Sequence, residues 1–194
     1  MTSAGARRTE KLQAIMAGAE QLIADEGYGA VTFRSVAAKA GVAAGLVQYY
    51  FPSLEDLFVA VLRRTTDRVI ENLERASRSD RPLRAIWAYA NNRKGSALLM
   101  EFMALANRRP AVGRVIGEGG ERVRQALVDV VAARWPAYGI DADDLPPSAM
   151  VFLLGAIPRM MHFEEALGTF TGHAETVALV ERFLDRVEPG SAGD

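Results

Sequence analysis

Apolar residues recur at three- and four-residue spacing along almost the whole chain, and this periodicity narrows the fold more than any other feature. A helix returns to the same face about every 3.6 residues, whereas a strand alternates faces. Leu12, Ile15, Met16, Ala19, Leu22 and Ile23 make one stripe, with Glu10, Lys11, Glu20 and Asp25 off it. Gly27 and Gly29 then supply the permissive backbone that ends such a helix. Strand signals are nearly absent. The expectation is an all-α chain of about nine helices.

The 194 residues suffice for one sizeable domain, or for a small domain joined to a larger one. With 49% hydrophobic and 24% charged residues the balance is that of a globular protein. Lys plus Arg number 23 against 24 Asp plus Glu, so any basic surface for nucleic acid must be local. Cysteine is absent, which excludes disulfides and thiol chemistry. The first residues lack the apolar core of a signal peptide, and the longest apolar run, Ala149 to Ile157, is short of the ~20 residues of a membrane span. A soluble, cytoplasmic protein is expected.

The stretch VAAKAGVAAGLVQYYF, Val36 to Phe51, holds two short helix-forming runs broken at Gly41-Val42. Thr32 can cap the first run by accepting from a free amide, with Phe33, Val36, Ala37 and Ala40 on its buried side. The second run ends at Phe51-Pro52, and Ser53 with Asp56 has the spacing of a capping box opening a longer helix. That helix carries Leu57, Phe58, Val61, Leu62, Val69 and Ile70, and the polar stretch Arg75 to Pro82 leads into a second region. Further helices are predicted from the periodicity between Leu83 and Val187. The tail from Glu188 to Asp194 reads as disordered.

Two helices joined by a tight glycine turn form a helix-turn-helix, whose second helix can enter the DNA major groove. Ala43, Ala44 and Gly45 lead that helix and would let it approach bases and phosphates closely, with Leu46 beside them. Gln48 can form paired hydrogen bonds with adenine, and the Tyr49 hydroxyl suits a phosphate. Thr32 and Arg34 start the supporting helix, where phosphate contact is reasonable. The same pattern also fits a generic helical hairpin that serves packing alone.

From about Arg8 to Leu62 the chain resembles the N-terminal domain of the tetracycline-repressor (TetR) family of transcriptional regulators. The resemblance rests on ADEGYGAVTFRSVAAKAGVAAGLVQYYFPSLEDLF and the order of its parts: Gly27-Tyr28, Thr32, VAAKAGV, Gly45, YYF and a serine-acid helix start. It implies that Ala43 to Tyr49 form the recognition helix. It also implies that Thr32, Arg34 and Tyr49 touch the DNA backbone, while Val47, Tyr50 and Phe51 hold the domain together. Two positions depart from the family: Ala43 stands where serine is frequent, removing a cap, and Leu54 where lysine is frequent, removing a phosphate contact. Arg7, Arg8, Lys11 or Lys39 would have to supply that charge.

The predicted organisation is a three-helix DNA-binding domain over 1–52 and a helical ligand-binding and dimerisation domain over 53–194. One recognition helix reads few bases, so specific affinity calls for a homodimer meeting two half-sites about 34–36 Å apart on a palindromic operator. Phe152 in the nearly all-apolar segment Ser148 to Phe163, with Val177, Val180, Phe183, Leu184 and Val187 near the end of the chain, is the expected interface. The resemblance implies a four-helix bundle between subunits and a small-molecule effector bound by the second domain. Trp87, Met100, Phe102, Met103, Met150, Leu154 and Met161, with His162 as polar anchor, suit a hydrophobic effector. Pro158 after Gly155 is expected to bend its helix and free carbonyls. The glycines of IGEGGERVR follow no strand, do not match a nucleotide loop, and are expected to loosen a helix junction.

The expected function is therefore a ligand-responsive transcriptional regulator, a repressor released by its effector. The alternative is a helical ligand-binding protein or enzyme in which the hairpin is structural only. No nucleophile-base pair, metal spacing or phosphate loop is evident, so neither catalysis nor a metal or other cofactor is expected.

Overall fold

The computed structural model describes residues 3–76 and 80–189. Residues 77–79 of the polar connection and 190–194 of the tail lie outside the described residues, so the expectation of a disordered C-terminus falls largely there. The helices are α1 (Ser3–Glu26), α2 (Phe33–Ala40), α3 (Ala44–Tyr50), α4 (Leu54–Ala76), α5 (Pro82–Ala90), α6 (Arg93–Ala106), α7 (Pro110–Arg134), α8 (Pro147–Ala166) and α9 (His173–Val187). Short 3₁₀ turns occupy Tyr28–Ala30 and Trp135–Tyr138, and no strand occurs among the described residues. The predicted all-α architecture is thus realised.

The chain divides into two compact units, Met1–Arg68 with Ala97–Gly120, and Val69–Ser96 with Glu121–Asp194. Helices α4, α6 and α7 each contribute residues to both. In the first unit the predicted stripe of α1 is the core: Ile15, Ala19 and Ile23 are fully buried with Val36, Val47, Leu57 and Val61. Each large aliphatic side chain so buried contributes roughly 1.5–3 kcal/mol before the entropy of ordering it is subtracted.

Local chemistry sets the helix ends in this unit. Thr32 Oγ1 accepts the Ser35 amide at 3.0 Å while Ser35 Oγ accepts the Thr32 amide at 2.8 Å, a reciprocal cap for α2. Gly41 adopts φ 65°, a left-handed conformation in which its amide reaches back to Ala37 and Ala38 and closes α2. Ser53 and Asp56 form the expected capping box at α4, with both amide-to-side-chain bonds at 3.1 Å.

One expectation is corrected in the same unit. The glycines of IGEGGERVR do not loosen a junction; they lie within the continuous helix α7. Gly119 is buried, and a Cβ built on it would stand 2.7 Å from Thr66 Oγ1 of α4. It is a close-approach glycine that lets two helices meet.

The second unit is built on Leu83, Ile86 and Trp87 of α5, Val131 of α7, Met150, Val151 and Leu154 of α8, and Val180 and Leu184 of α9. A polar network fastens α9 to α5. Glu188, itself buried, accepts the amides of Leu83 at 3.0 Å and Arg84 at 2.9 Å, which are free amides at the start of α5. The Tyr138 hydroxyl donates to the same carboxylate. Burial, then the Glu188 hydrogen bond and charge, push that phenol well above its ordinary pKa, so it stays a donor. Arg84 pairs with Glu181 and Asp185.

Candidate functional site

The pair α2–α3 forms the predicted helix-turn-helix, shifted by one residue at its second helix: Ala43 is the N-cap and α3 starts at Ala44. Ala43 provides no side-chain cap, as its lack of a hydroxyl dictates. Within α3 the faces are sharply divided. Val47 has no exposed surface and Phe51 is buried after it, whereas Gly45, Gln48 and Tyr49 face solvent, Tyr49 with 70% of its surface exposed. Ala43, Thr32 and Arg34 are also exposed, and Ala44 and Leu46 are half-buried.

Gly45 is informative because nothing lies within 4 Å of a Cβ built on it. No packing inside the subunit demands a glycine there. Tyr49 and Tyr50 meet edge to face at 5.4 Å, and the Arg8 guanidinium of α1 sits 5.8 Å above the Tyr50 ring. Arg7, Arg8 and Lys11 on α1 and Arg34 and Lys39 on α2 are all exposed. Leu54 is half-buried and packs on the first core.

The residues assigned to an effector pocket fall in both units. Phe102, 1% exposed, belongs to the first core with Leu98, Leu105 and Val112, and Met103 on the same helix is exposed. Met100 is half-buried in that unit. Trp87, Met150 and Leu154 are buried in the second core, with Met161 and His162 half-buried in the same unit. Trp87 also has a structural tie, donating its indole N–H to Glu181 of α9 at 2.8 Å. Helical spacing could not separate these sets, because an inward-facing residue looks alike in either core.

His162 Nδ1 stands 3.0 Å from the buried Ser96 hydroxyl. Burial, reinforced by Arg93 and opposed by Glu165, holds its pKa below the ordinary histidine value. His173 Nε2 meets Glu164 at 2.7 Å. No group of three or more potential metal-ligating side chains occurs among the described residues.

The expected interface residues divide as well. Val180 and Leu184 are buried in the second core, and Val177, Phe183 and Val187 are half-buried against the same core. Phe152, expected at the interface, is exposed, together with Met160 and Phe163 of α8, Leu167 just beyond its end and Leu179 on α9. Ala149, Phe152, Ala156, Met160, Phe163 and Leu167 recur at three- and four-residue spacing and so share one face. Spacing also missed two long-range ties, those of Glu188 above and of Glu101, which accepts the Tyr28 amide at 3.0 Å.

Residues 15–61 match the family described as bacterial regulatory proteins, tetR family. Among solved structures the chain is similar to a TetR transcription regulator from Haloarcula marismortui, with TM-score 0.71 and 20% identity over 92% of this chain and 98% of that one. It is also similar to a proposed transcriptional regulator from Saccharomonospora viridis in complex with choline, with TM-score 0.73 and 15% identity over 93% and 97% of the two chains. A transcriptional regulator from Rhodococcus shows TM-score 0.67 and 19% identity over 90% and 94%. No curated protein matches. No helix among the described residues is long and apolar enough to cross a membrane.

Proposed function

We propose, from the match of residues 15–61 to the family described as bacterial regulatory proteins, tetR family, that the chain is a ligand-responsive, homodimeric DNA-binding transcriptional regulator. It acts as a repressor on a palindromic operator and is released by a small effector. The observation that carries this reading is α3: a helix anchored by Val47 whose outer face is Gly45, Gln48 and Tyr49. A glycine with empty space around it has no role inside the subunit, and it suits a surface that meets something outside. Gln48 would read an adenine edge, while Tyr49, Thr32 and Arg34 would fix the helix on phosphates.

Dimerisation is supported by the apolar stripe of α8. Phe152 is 52% exposed, and Met160, Phe163 and Leu167 lie along the same face. Several large apolar side chains on one helical face are a usual sign of an interface. The effector would bind in the second unit near Trp87, Met150, Leu154, Met161 and His162. A relative's complex with choline supports small-molecule binding as the mode of response. By linkage, an effector that prefers a dimer with wrongly spaced recognition helices weakens DNA binding by the same factor as DNA weakens effector binding.

Fluorescence anisotropy with duplexes from the DNA flanking the coding sequence tests the reading. Binding should be sequence-selective and weaken steeply with salt. Gly45→Leu should abolish it while the melting temperature is kept or raised, since glycine costs roughly 0.5–1 kcal/mol inside a helix. Tyr49→Phe should weaken it without unfolding the domain. Undiminished DNA binding by Gly45→Leu would leave the hairpin a packing device.

A further inference from the structure

Arg159 of α8 presents an electrostatic problem that the fold leaves open. Its side chain is half-buried, and no carboxylate pairs with it among the described residues. It lies back across its own helix, with Nη1 3.2 Å from where a Cβ on Gly155 would be. The guanidinium thus packs beside Gly155. One turn towards the N-terminus, the Arg124 guanidinium from α7 sits 5.0 Å above the ring of Phe152. Burial works against the charge of Arg159 and lowers its pKa, Tyr89 of α5 opposes this, and Arg124 adds to it. An arginine does not escape such a site by giving up its proton, because the guanidinium stays protonated in proteins. Arg124 is thus near enough for its charge to act on Arg159, and neither guanidinium has a carboxylate partner among the described residues.

We propose that Arg159 and Arg124 form an oxyanion site in the second unit, taking the carboxylate or phosphate head of an amphipathic effector. Planar guanidinium groups meet such oxyanions through paired hydrogen bonds, and the partial burial of Arg159 strengthens its bonds relative to water. A side chain at 155 would crowd Arg159 Nη1 and make the guanidinium give by a few tenths of an ångström. The site rests on the regulator reading for its biological meaning, since it assigns the chemical class of that effector.

Calorimetry on the full chain at low ionic strength, with octanoate, octyl phosphate and octanol as probes, tests the site. At least one of the two anions should bind, and octanol should bind at least tenfold more weakly. Tighter binding of octanoate would identify a carboxylate head, and tighter binding of octyl phosphate a phosphate head. Arg159→Gln should weaken the anion at least tenfold without lowering the melting temperature, because it removes an uncompensated charge. Arg159→Lys should recover only part of the affinity, and Arg124→Gln should cost several-fold.

Equal binding of octanol and octanoate, no binding of either anion, or unchanged affinity in both arginine variants would overturn the site. So would loss of dimer in Arg159→Gln by sedimentation together with no anion binding to the parent chain. That pattern would mean the arginines meet carboxylates of a second copy. DNA anisotropy on the same samples separates the two readings. DNA binding without anion binding removes only the oxyanion site, and anion binding without DNA binding removes only the regulator.

Discussion

Glu101 of α6 accepts the backbone amide of Tyr28 at 3.0 Å, joining two residues 73 positions apart within the first unit. The same carboxylate oxygen lies 3.2 Å from where a Cβ on Gly27 would stand, and Gly27 holds φ 82°. The turn after α1 is thereby pinned on a side chain from α6, and α1 and α2 share the first core with α3. Glu101→Ala should cost roughly 1.5–3 kcal/mol, the usual scale for a hydrogen bond to a charged group, and so lower Tm by several degrees. Glu101→Gln keeps an acceptor and should lose less than half as much. Equal melting curves for Glu101→Ala and the parent would show that the bond contributes nothing.

Gly119 predicts a steric effect with a built-in rescue. Alanine at 119 would place its Cβ 2.7 Å from Thr66 Oγ1, closer than real contacts allow. Forcing α4 and α7 apart should cost about 1–3 kcal/mol, the range for overpacking, despite alanine's better helix propensity. Combining it with Thr66→Ala removes the nearest atom and should restore most of the loss. Urea unfolding of the two single variants and the double variant reads this as a coupling energy.

Glu188 predicts a stability effect at the other end of the chain. Its carboxylate serves the Leu83 and Arg84 amides and the Tyr138 hydroxyl at one buried point. Glu188→Gln turns one acceptor oxygen into a donor group facing other donors. It should destabilise by roughly 3–5 kcal/mol, as breaking a buried charged partnership does. Tyr138→Phe leaves both amide bonds and should cost only about 1 kcal/mol. A Glu188→Gln protein that melts with the parent would remove Glu188 as the clasp between α9 and α5.

His162 predicts a pH effect of definite sign. Its folded pKa is lowered, chiefly by burial and then by Arg93, so the unfolded chain binds more protons between that value and about 6.5. Stability from this group is complete above about pH 6.5 and is lost as pH falls through the folded value. Urea midpoints from pH 7.5 down to pH 5 should fall more steeply for the parent than for His162→Gln. Parallel curves would mean that His162 has the same proton affinity folded and unfolded.

Sequence-legible features were the local ones. Periodicity marks α1, α4 and α9 because burying one face needs only residues within a few turns of each other. Thr32 and the Ser53-Asp56 pair announce helix starts because a cap reaches three residues along the chain. Gly41 announces the turn because only a few residue types accept its backbone angles at low cost. Trp87, Phe102 and Leu184 were legible as apolar and inward-facing, but not by which core they face.

By itself, then, the order of residues determined the all-helical class, the helix-turn-helix and its outward Gly45, Gln48 and Tyr49, because each rests on short-range geometry. Tertiary structure alone decided that Phe102 packs in the first core while Trp87 hydrogen-bonds Glu181, that Gly119 admits Thr66, and that Arg159 packs beside Gly155 with no carboxylate partner among the described residues. These depend on which helices meet and at what rotation. A rotation is set by the packing of many side chains together, and no single stretch of the chain records it.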